Sequence, residues 1–346
     1  MKKLLVAIAL LGLLAGCDGS APPRDLTVVA WGGSSQLAFR DAYWTPFVVH
    51  TGTPVREDVW SGGIGVLRDK VHSGASDWDV VQVEVEELLL GCAEGLFEPI
   101  DWQALGGREA FIDAAVQDCG VGAMVWSQLF GYDSARMPDG PRNWADFWDV
   151  KRFPGRRGLR KTPKYTLEFA LMADGVAPAD VYRVLRTPEG VDRAFRKLDE
   201  IKPHTVWWSS ISQVPDLLAS GEVAVSVTSP GRLLVANRKE GRRFKVVWDG
   251  NIYAVDFWAI LKRSPRREQA MQLIQYMKQP EREERLAQLI PTGLANRKAI
   301  AALDPALKLD TPSNPDNMRN AVELDAQFWV ENSDRLTQRF NAWADR

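Results

Sequence analysis

The stretch Leu26-Thr-Val-Val-Ala-Trp-Gly-Gly-Ser-Ser35 decides the fold class of this 346-residue chain. Its first five residues form a short apolar run rich in β-branched side chains, which is typical of a buried strand. Two glycines follow Trp31 and predict a tight turn, and an amphipathic stretch to about Val49 predicts a helix. Strand, glycine turn and helix in this order indicate the first unit of an α/β fold.

The same alternation continues along the chain. Residues 53–55 restart a strand, 62–73 predict a helix and 78–83 predict another strand, so the sheet should be mostly parallel. A second α/β segment starts near Asp146, with helices predicted at 166–173, 189–201 and 216–220 and a strand at 223–227. A strand at 251–260 precedes a helix at 267–277, and the rest of the chain is predicted to be mainly helical.

The N-terminus has the pattern of a lipoprotein export signal. Met1-Lys2-Lys3 is basic, residues 4–14 are apolar, and Leu14-Ala15-Gly16-Cys17 places small residues before a cysteine. The apolar run is too short to span a bilayer permanently. We therefore expect residues 1–16 to be removed, Cys17 to carry the lipid, and residues 17–25 to be a tether. The protein would then lie in the periplasm, anchored to the outer face of the cytoplasmic membrane.

Composition excludes several classes of partner. Loss of Lys2 and Lys3 lowers the formal net charge from −2 to −4, and basic residues are dispersed among acids, so no nucleic-acid partner is expected. No cofactor and no metal are expected either, because three histidines and no cysteine cluster offer no ligand set. Cys92 and Cys119 remain as an even pair in an oxidising compartment. They form either a structural disulfide, which we favour, or two free buried thiols.

Catalytic motifs give little support for an enzyme. The chain lacks a Gly-x-Ser-x-Gly elbow, a His-Glu-x-x-His helix and a phosphate-binding P-loop, and His50, His72 and His204 stand without an evident nucleophile. We expect a protein that is not an enzyme. Paired carboxylates of the glycosidase type are not excluded by spacing alone, so an exported hydrolase stays as a distant alternative.

A series of short motifs extends over nearly the whole mature chain. They are Val28-Val-Ala-Trp-Gly-Gly33, Trp78-Asp-Val-Val81, Glu94-Gly-Leu-Phe-Glu-Pro-Ile-Asp101, Asn143-Trp-Ala-Asp-Phe-Trp148, Val206-Trp-Trp-Ser-Ser210, Asp256-Phe-Trp-Ala-Ile260 and Pro291-Thr-Gly-Leu-Ala-Asn296. In this order and spacing the chain resembles the periplasmic solute-binding proteins of ABC importers, in the branch that contains the putrescine/spermidine-binding proteins.

This resemblance implies a two-lobed periplasmic-binding-protein fold of type II. Each lobe would be a mostly parallel sheet flanked by helices, and C-terminal helices would pack across the lobes. Lobe one would combine residues 26–123 with 256–309, lobe two would be 128–249, and 310–346 would form the C-terminal helices. The chain would cross between the lobes near 124–127 and 250–255. A ligand would lie in the cleft, and permease subunits would recognise a monomer whose membrane contact is through its lipid.

Residues of lobe one give one end of the expected ligand site. Trp31, Gly33 and Ser34 follow the first strand at its carboxyl end, where open α/β sheets bind ligands. Polyamine-binding relatives have an aromatic residue at the position of Trp31 and commonly an Asp where this chain has Gly33. Asp256 interrupts an apolar strand and needs a cationic partner, either a neighbouring Arg or, as the resemblance implies, an ammonium group of the ligand. Glu84 could add a second amine contact.

The other candidate residues come from lobe two and the crossing segments. Arg232 stands where polyamine-binding relatives tend to have an acid, and its guanidinium suits a carboxylate, although a solvated surface Arg is an equal alternative. Ser210 and Gln213 lie just before a predicted helix whose first amides would bind an anion or a hydroxyl group, and ordinary capping of that helix by Ser212 is the alternative. Three more residues complete the set: Trp126 and Trp208 as aromatic cleft walls, with core packing as the alternative, and Thr292 in a loop near the cleft.

Asp256 and Arg232 together favour a zwitterionic ligand. Closure would bring an amine to Asp256 and a carboxylate to Arg232, which suits an ω-amino acid such as 4-aminobutanoate. The alternative is a polyamine held by Asp256 and Glu84. The iron-binding branch of the superfamily is disfavoured because the chain has no Tyr-Tyr pair.

Overall fold

The computed structural model describes residues 24–73 and 76–346. The predicted signal peptide, Cys17 and most of the predicted tether lie outside the described residues. Within the described ranges, no helix is both long enough and apolar enough to cross a membrane.

The strands of the described chain form one mixed sheet. They are β1 Leu26–Ala30, β2 Val55–Val59, β3 Val80–Val83, β4 Val116–Gln117, β5 Gly120–Asp133, β6 Arg157–Arg160, β7 Thr205–Trp208, β8 Val225–Thr228, β9 Phe244–Ile260 and β10 Val322–Glu323. Their order is β2-β1-β3-β9-β5-β8-β6-β7, with β10 beside β9 and β4 beside β5. The outer strands at both ends pair in parallel, whereas β5 and β9 pair antiparallel to each other and to β8 and β3. The short strand β10 pairs in parallel with β9.

Helices cover the sheet and dominate the end of the chain. They are α1 Gly33–Phe39, α2 Thr45–Thr51, α3 Ile64–His72, α4 Val85–Ala93, α5 Trp144–Trp148, α6 Thr166–Ala173, α7 Val181–Leu185, α8 Pro188–Ile201, α9 Val214–Ser220, α10 Pro230–Glu240, α11 Arg267–Met277, α12 Pro280–Leu289, α13 Arg297–Ala302, α14 Pro305–Lys308, α15 Pro315–Met318 and α16 Ala326–Ala344. The fold-class prediction is confirmed.

The turn after β1 depends on its glycines. Gly32 and Gly33 have φ values of 74° and 65°, a region that favours glycine over residues with a Cβ. The amide of Gly32 donates to Oε1 of Gln36, which closes the turn onto the helix. The predicted helix to about Val49 is continuous in the structure, but a π-helical segment, Arg40–Trp44, joins α1 to α2.

Two long strands connect the two ends of the sheet. β5 and β9 pair from Val121 opposite Trp258 to Asp133 opposite Phe244, with irregularities in register between Gly122 and Met124 and between Gln128 and Phe130. Both segments predicted to cross between the lobes lie within this pair. A strand that runs through two cores gives each core a fixed edge and leaves a narrow connection on which they can bend.

Buried apolar side chains form two large cores on either side of this connection. The first core contains residues from Leu26 to Val125 and from Val255 to Ala295, whereas the second contains residues from Phe130 to Ala254 and from Val322 to Trp343. The predicted residue boundaries of the lobes stay a prediction.

The C-terminal helix α16 packs on the second core and also contacts α4. Phe328, Trp329, Leu336, Phe340 and Trp343 are all at most 5% exposed. Burial of side chains of this size stabilises a fold by about 1.5–3 kcal/mol each. The helix is therefore an integral part of the second core and also reaches the helix that follows β3.

Cys92 and Cys119 are joined by a disulfide in the structure, with their Cα atoms 6.0 Å apart. The bond links the last turn of α4 to the segment before β5 and so closes a loop of the first core. Neither sulfur lies near the cavity described below.

Candidate ligand-binding site

Asp256 is a buried carboxylate with neutral hydrogen-bond donors on both oxygens. It lies on β9 and is 6% exposed. Its Oδ2 accepts from Trp31 Nε1 at 3.0 Å and from Gln82 Nε2 at 2.9 Å, and its Oδ1 accepts from Trp126 Nε1 at 2.8 Å. Within the described chain no Lys, Arg or His forms an ion pair with it. A buried ionised carboxylate without a cation is costly, so Asp256 either holds a proton or needs a positive charge from outside the described residues.

Packing fixes the two indoles that bind Asp256. The Trp31 ring stacks on Trp60 with a centroid distance of 5.1 Å, and the Trp126 ring meets Tyr165 edge-on at 5.9 Å. Trp60 is itself held by a hydrogen bond from its Nε1 to the carbonyl of Gln82 at 3.0 Å. Since these contacts orient the donors before any ligand arrives, the carboxylate is held in place in advance.

Burial, together with the negative charge of Glu84, raises the pKa of Asp256 to about 7. Hydrogen bonds from Trp126, Trp31 and Gln82 act in the opposite direction because they stabilise the ionised form. An added ammonium group would favour ionisation. Binding of a cation therefore couples to loss of a proton from this carboxyl group.

A cavity of about 430 Å³ is lined by Trp126, one of the donors to Asp256, although Asp256, Trp31 and Glu84 do not themselves line it. Ser34, Trp126, Arg232 and Thr292, which were all predicted to bind ligand, line it. Trp126 connects the two parts of the site, because its ring lines the cavity while its Nε1 binds Asp256. The walls come from both cores: Ser34 begins a helix of the first, and Arg232 belongs to a helix that packs on the second.

Arg232 lies in the first turn of α10, which follows β8 with Ser229 at its N-cap. Its side chain is exposed, and no carboxylate of the described residues forms an ion pair with it. Gly231, beside it, approaches the loop after α12 so closely that a Cβ would lie 3.3 Å from the carbonyl oxygen of Pro291. Lys239 and Glu240, at the C-terminal end of the same helix, also line the cavity. The guanidinium is thus free to take an anionic group in the cavity.

Glu84 is engaged within the protein. It is the N-cap of α4, where it forms a capping box with Glu87. One of its oxygens lies 3.7 Å from Nζ of Lys164, which also contacts the carboxylate of Glu86. The carboxylate predicted as a second amine contact therefore already has a cation beside it.

The remaining predicted residues do not line this cavity. Gly33 is exposed in the turn after β1, and Trp208 is 3% exposed in the second core. Ser210 and Gln213 form a capping box with each other at the start of a short 3₁₀ turn, whereas Ser212, predicted as the capping residue, lines the cavity. Their roles in binding stay a prediction. Thr292 lines the cavity but is 1% exposed, and its hydroxyl donates to the carbonyl of Val125 at 3.3 Å.

Sequence reasoning missed three residues of this site. Gln82 could have been found from the sequence, because it is a polar amide within the apolar strand Val80–Val83. No feature of the sequence marked Lys164, because lysines are common on protein surfaces. Tyr165 adopts φ 72°, a conformation that is rare for a residue with a side chain and unreadable from sequence.

Two α/β cores joined by long strands, with a charged cavity between them, define a two-lobed solute-binding protein. The chain belongs to the family of bacterial extracellular solute-binding proteins, whose family model matches residues 60–314. Members of this kind are the substrate-binding components of ABC importers, which work with permease subunits. The family inferred from the sequence motifs is confirmed.

Three known proteins show where the chain lies within the family. It is 41% identical over 339 residues to the gamma-aminobutyric acid-binding protein of Pseudomonas aeruginosa, covering 98% of this chain and 96% of that one. It is 25% identical to the spermidine/putrescine-binding periplasmic protein of Escherichia coli, but over 52% of this chain and 50% of the other. The solved structure of the Atu4243 GABA receptor is 29% identical, with a TM-score of 0.82 over 93% of this chain and 98% of that one.

Proposed function

We propose that this protein captures a small ω-amino acid, with 4-aminobutanoate (gamma-aminobutyric acid) as the favoured ligand, and delivers it unchanged to an ABC importer. One observation carries the proposal. Asp256 is a buried carboxylate with no cation of the described residues beside it, and its donor Trp126 lines a cavity that is also lined by Arg232, whose guanidinium forms no ion pair with the described residues. The protein does no catalysis in this proposal. The near full-length similarity to a gamma-aminobutyric acid-binding protein supports the same ligand.

The amine end of the ligand would bind Asp256. A carboxylate has about four acceptor sites, and the two indoles and Gln82 fill three of them. The acceptor position left on Oδ1 suits a single N–H of a primary ammonium. The faces of Trp31 and Trp126 would contact the cation and the adjoining methylenes.

The carboxylate end would bind Arg232. A guanidinium pairs with a carboxylate through two parallel hydrogen bonds, which fixes orientation as well as charge. The first turn of α10 adds a positive dipole at the same place. Because Arg232 and Asp256 belong to different cores, a ligand that contacts both would hold the cores together. The favoured ligand thus carries one charge of each sign, separated by a short chain.

A polyamine is the second candidate, and the half-length similarity to a spermidine/putrescine-binding protein supports it. Its second ammonium would meet Arg232 or the Glu84 carboxylate beside Lys164, and both surroundings are unfavourable. Calorimetric titration of the delipidated protein separates the two candidates. We expect heat of binding for 4-aminobutanoate and little for putrescine. Tight putrescine binding with no response to 4-aminobutanoate would overturn the proposal.

We also propose that residues 1–16 are removed and that acyl chains on Cys17 hold the protein at the outer face of the cytoplasmic membrane. The basic start, the short apolar run and Leu14-Ala15-Gly16-Cys17 support this. Mass spectrometry of the purified membrane form should find an N-terminal peptide that begins at Cys17 and carries acyl mass. An unmodified peptide that includes Met1 would contradict it. A monomer attached in this way can swing its cleft toward the permease on its tether.

A further inference from the structure

Lys164 makes an ionic contact that links the two halves of the molecule. It lies just before α6, whose side chains belong to the second core, and its Nζ contacts carboxylates at the start of α4. Glu86 is the nearer partner, and Glu84 follows at 3.7 Å. Lys164 is 21% exposed and Glu86 17% exposed, so this group is partly shielded from solvent.

This ionic group adjoins the amine end of the proposed site. The Nζ of Lys164 lies 5.5 Å from the Tyr165 ring, and that ring contacts Trp126, which donates to Asp256. Glu84 is close enough to Asp256 for its charge to act on it. Without Lys164, Asp256, Glu84 and Glu86 would place three acidic groups together with no basic side chain among them. Such a cluster attracts a dication far more than a zwitterion.

We propose that Lys164 is a specificity-determining residue: its ammonium occupies the place beside Glu84 and Glu86 that the second ammonium of a diamine would otherwise take. The protein thereby supplies one cation itself and leaves a single carboxylate, Asp256, for the ligand. This inference rests on the proposed function, because it explains how the same site rejects diamines while accepting an ω-amino acid.

The test compares putrescine and 4-aminobutanoate by calorimetry in the wild type and in Lys164→Met. We expect the affinity ratio of putrescine to 4-aminobutanoate to rise at least tenfold, because the methionine keeps the length of the side chain and removes its charge. Lys164→Arg should keep the wild-type ratio. Lys161→Met is the matched control, since Lys161 pairs with the exposed Asp345 and should leave the ratio unchanged.

Further variants separate charge from folding. Lys164→Gln, checked for an unchanged far-UV spectrum, serves if the methionine variant does not fold, and Glu84→Gln with Glu86→Gln should reverse the gain in putrescine affinity. The gain should shrink in high salt, which a purely structural role would not cause. A folded Lys164→Met or Lys164→Gln variant with the wild-type ratio would overturn the inference. Failure of the wild type to bind 4-aminobutanoate would instead count against the proposed function.

Discussion

Asp256 shows how a site for a cation can be built without a protein cation. Its charge lies in an otherwise apolar strand, and the donors that hold it are two indoles and an amide, all of them neutral. Neutral donors stabilise the ionised form only in part, so much of the cost of burial remains. In the proposed function, a ligand ammonium removes that cost on binding. The energy regained in this way adds to the affinity for the ligand.

Replacement of Asp256 by Asn tests this arrangement. Asp256→Asn keeps the shape of the side chain and removes its charge, and we expect the affinity for 4-aminobutanoate to fall at least thirtyfold, in line with about 2–5 kcal/mol for a buried charged pair that loses one partner. The melting temperature without ligand should not fall. Glu168→Gln is the control, because Glu168 is another buried carboxylate with neutral donors, but its donors Tyr182 and Trp329 do not line the cavity, whereas Trp126, a donor to Asp256, does. Wild-type affinity in Asp256→Asn would contradict the assignment.

Binding should also depend on pH. The pKa of Asp256 is raised to about 7, so below pH 7 the carboxyl group holds a proton that an ammonium ligand must displace. Affinity should therefore rise with pH up to about 7 and then level off. Near pH 6, titrations in buffers of different ionisation enthalpy should show release of close to one proton per ligand, and the dependence should vanish in Asp256→Asn. A ligand affinity that stays constant from pH 5.5 to 8.5 would contradict this prediction.

The raised pKa of Asp256 also makes the stability of the folded protein depend on pH. Its contribution to stability falls as pH rises, whereas ligand affinity rises. Asp256 in the folded protein binds its proton more tightly than in the unfolded chain, where a carboxyl group has its ordinary pKa. Between about pH 4 and 7 the folded state holds the extra proton, so this group's contribution to the free energy of unfolding decreases as pH rises. The pKa of Glu168 is also raised to about 7 by burial and adds a change of the same sign.

At the residue scale, sequence reasoning found the charges but not all of their surroundings. Asp256 was predictable because an acid in an apolar strand is costly, and Arg232 because an unusual cation follows a strand. Trp208 was predicted in the cleft and lies in a core, since an indole serves either place equally well. Whether Glu84 was free depended on Lys164, a residue distant in sequence, and pattern reasoning has no access to such a contact.

At the scale of elements, the sequence predicted the bounds of some helices well but did not predict the lengths of the strands. The helices at 166–173 and 267–277 have the predicted bounds, because apolar periodicity and flanking residues define them. β9 begins at Phe244 rather than at the predicted residue 251, because exposed Lys245 and Asp249 weaken the apolar pattern of its first part, and no strand was predicted for β5. The parallel pairing was predicted for the outer strands but not the antiparallel pairing of these two.

The disulfide should stabilise the first core. It closes a loop with a sequence separation of 27 residues, which corresponds to about 3 kcal/mol in the loop-entropy model. Cys92→Ser with Cys119→Ser should lower the free energy of unfolding by about this amount and leave ligand affinity within a few-fold of wild type, because neither residue lines the cavity. Thiol titration of the unfolded, unreduced mature protein should find no free thiol at these positions, and two reactive thiols would contradict the bond.

At the scale of the whole molecule, the two cores and their shared strands make a clamp whose halves each present one charge. Asp256 belongs to the strand that joins the cores, and Arg232 to a helix of the second. A ligand that has only an amine can pair with Asp256 but not with Arg232. Binding energy at both ends is available only to a ligand that spans them, so length and charge select the ligand together.

The central claim is that one ligand joins Asp256 to Arg232, and calorimetry with a truncated ligand tests it most directly. 4-Aminobutanoate and butylamine are titrated into the wild type, Arg232→Gln and the control Arg238→Gln, whose arginine lies on the same helix but pairs with Asp310 outside the cavity. We expect Arg232→Gln to weaken 4-aminobutanoate binding at least thirtyfold, to leave butylamine binding unchanged, and Arg238→Gln to affect neither. Equal losses for both ligands, or no loss for 4-aminobutanoate, would contradict the account.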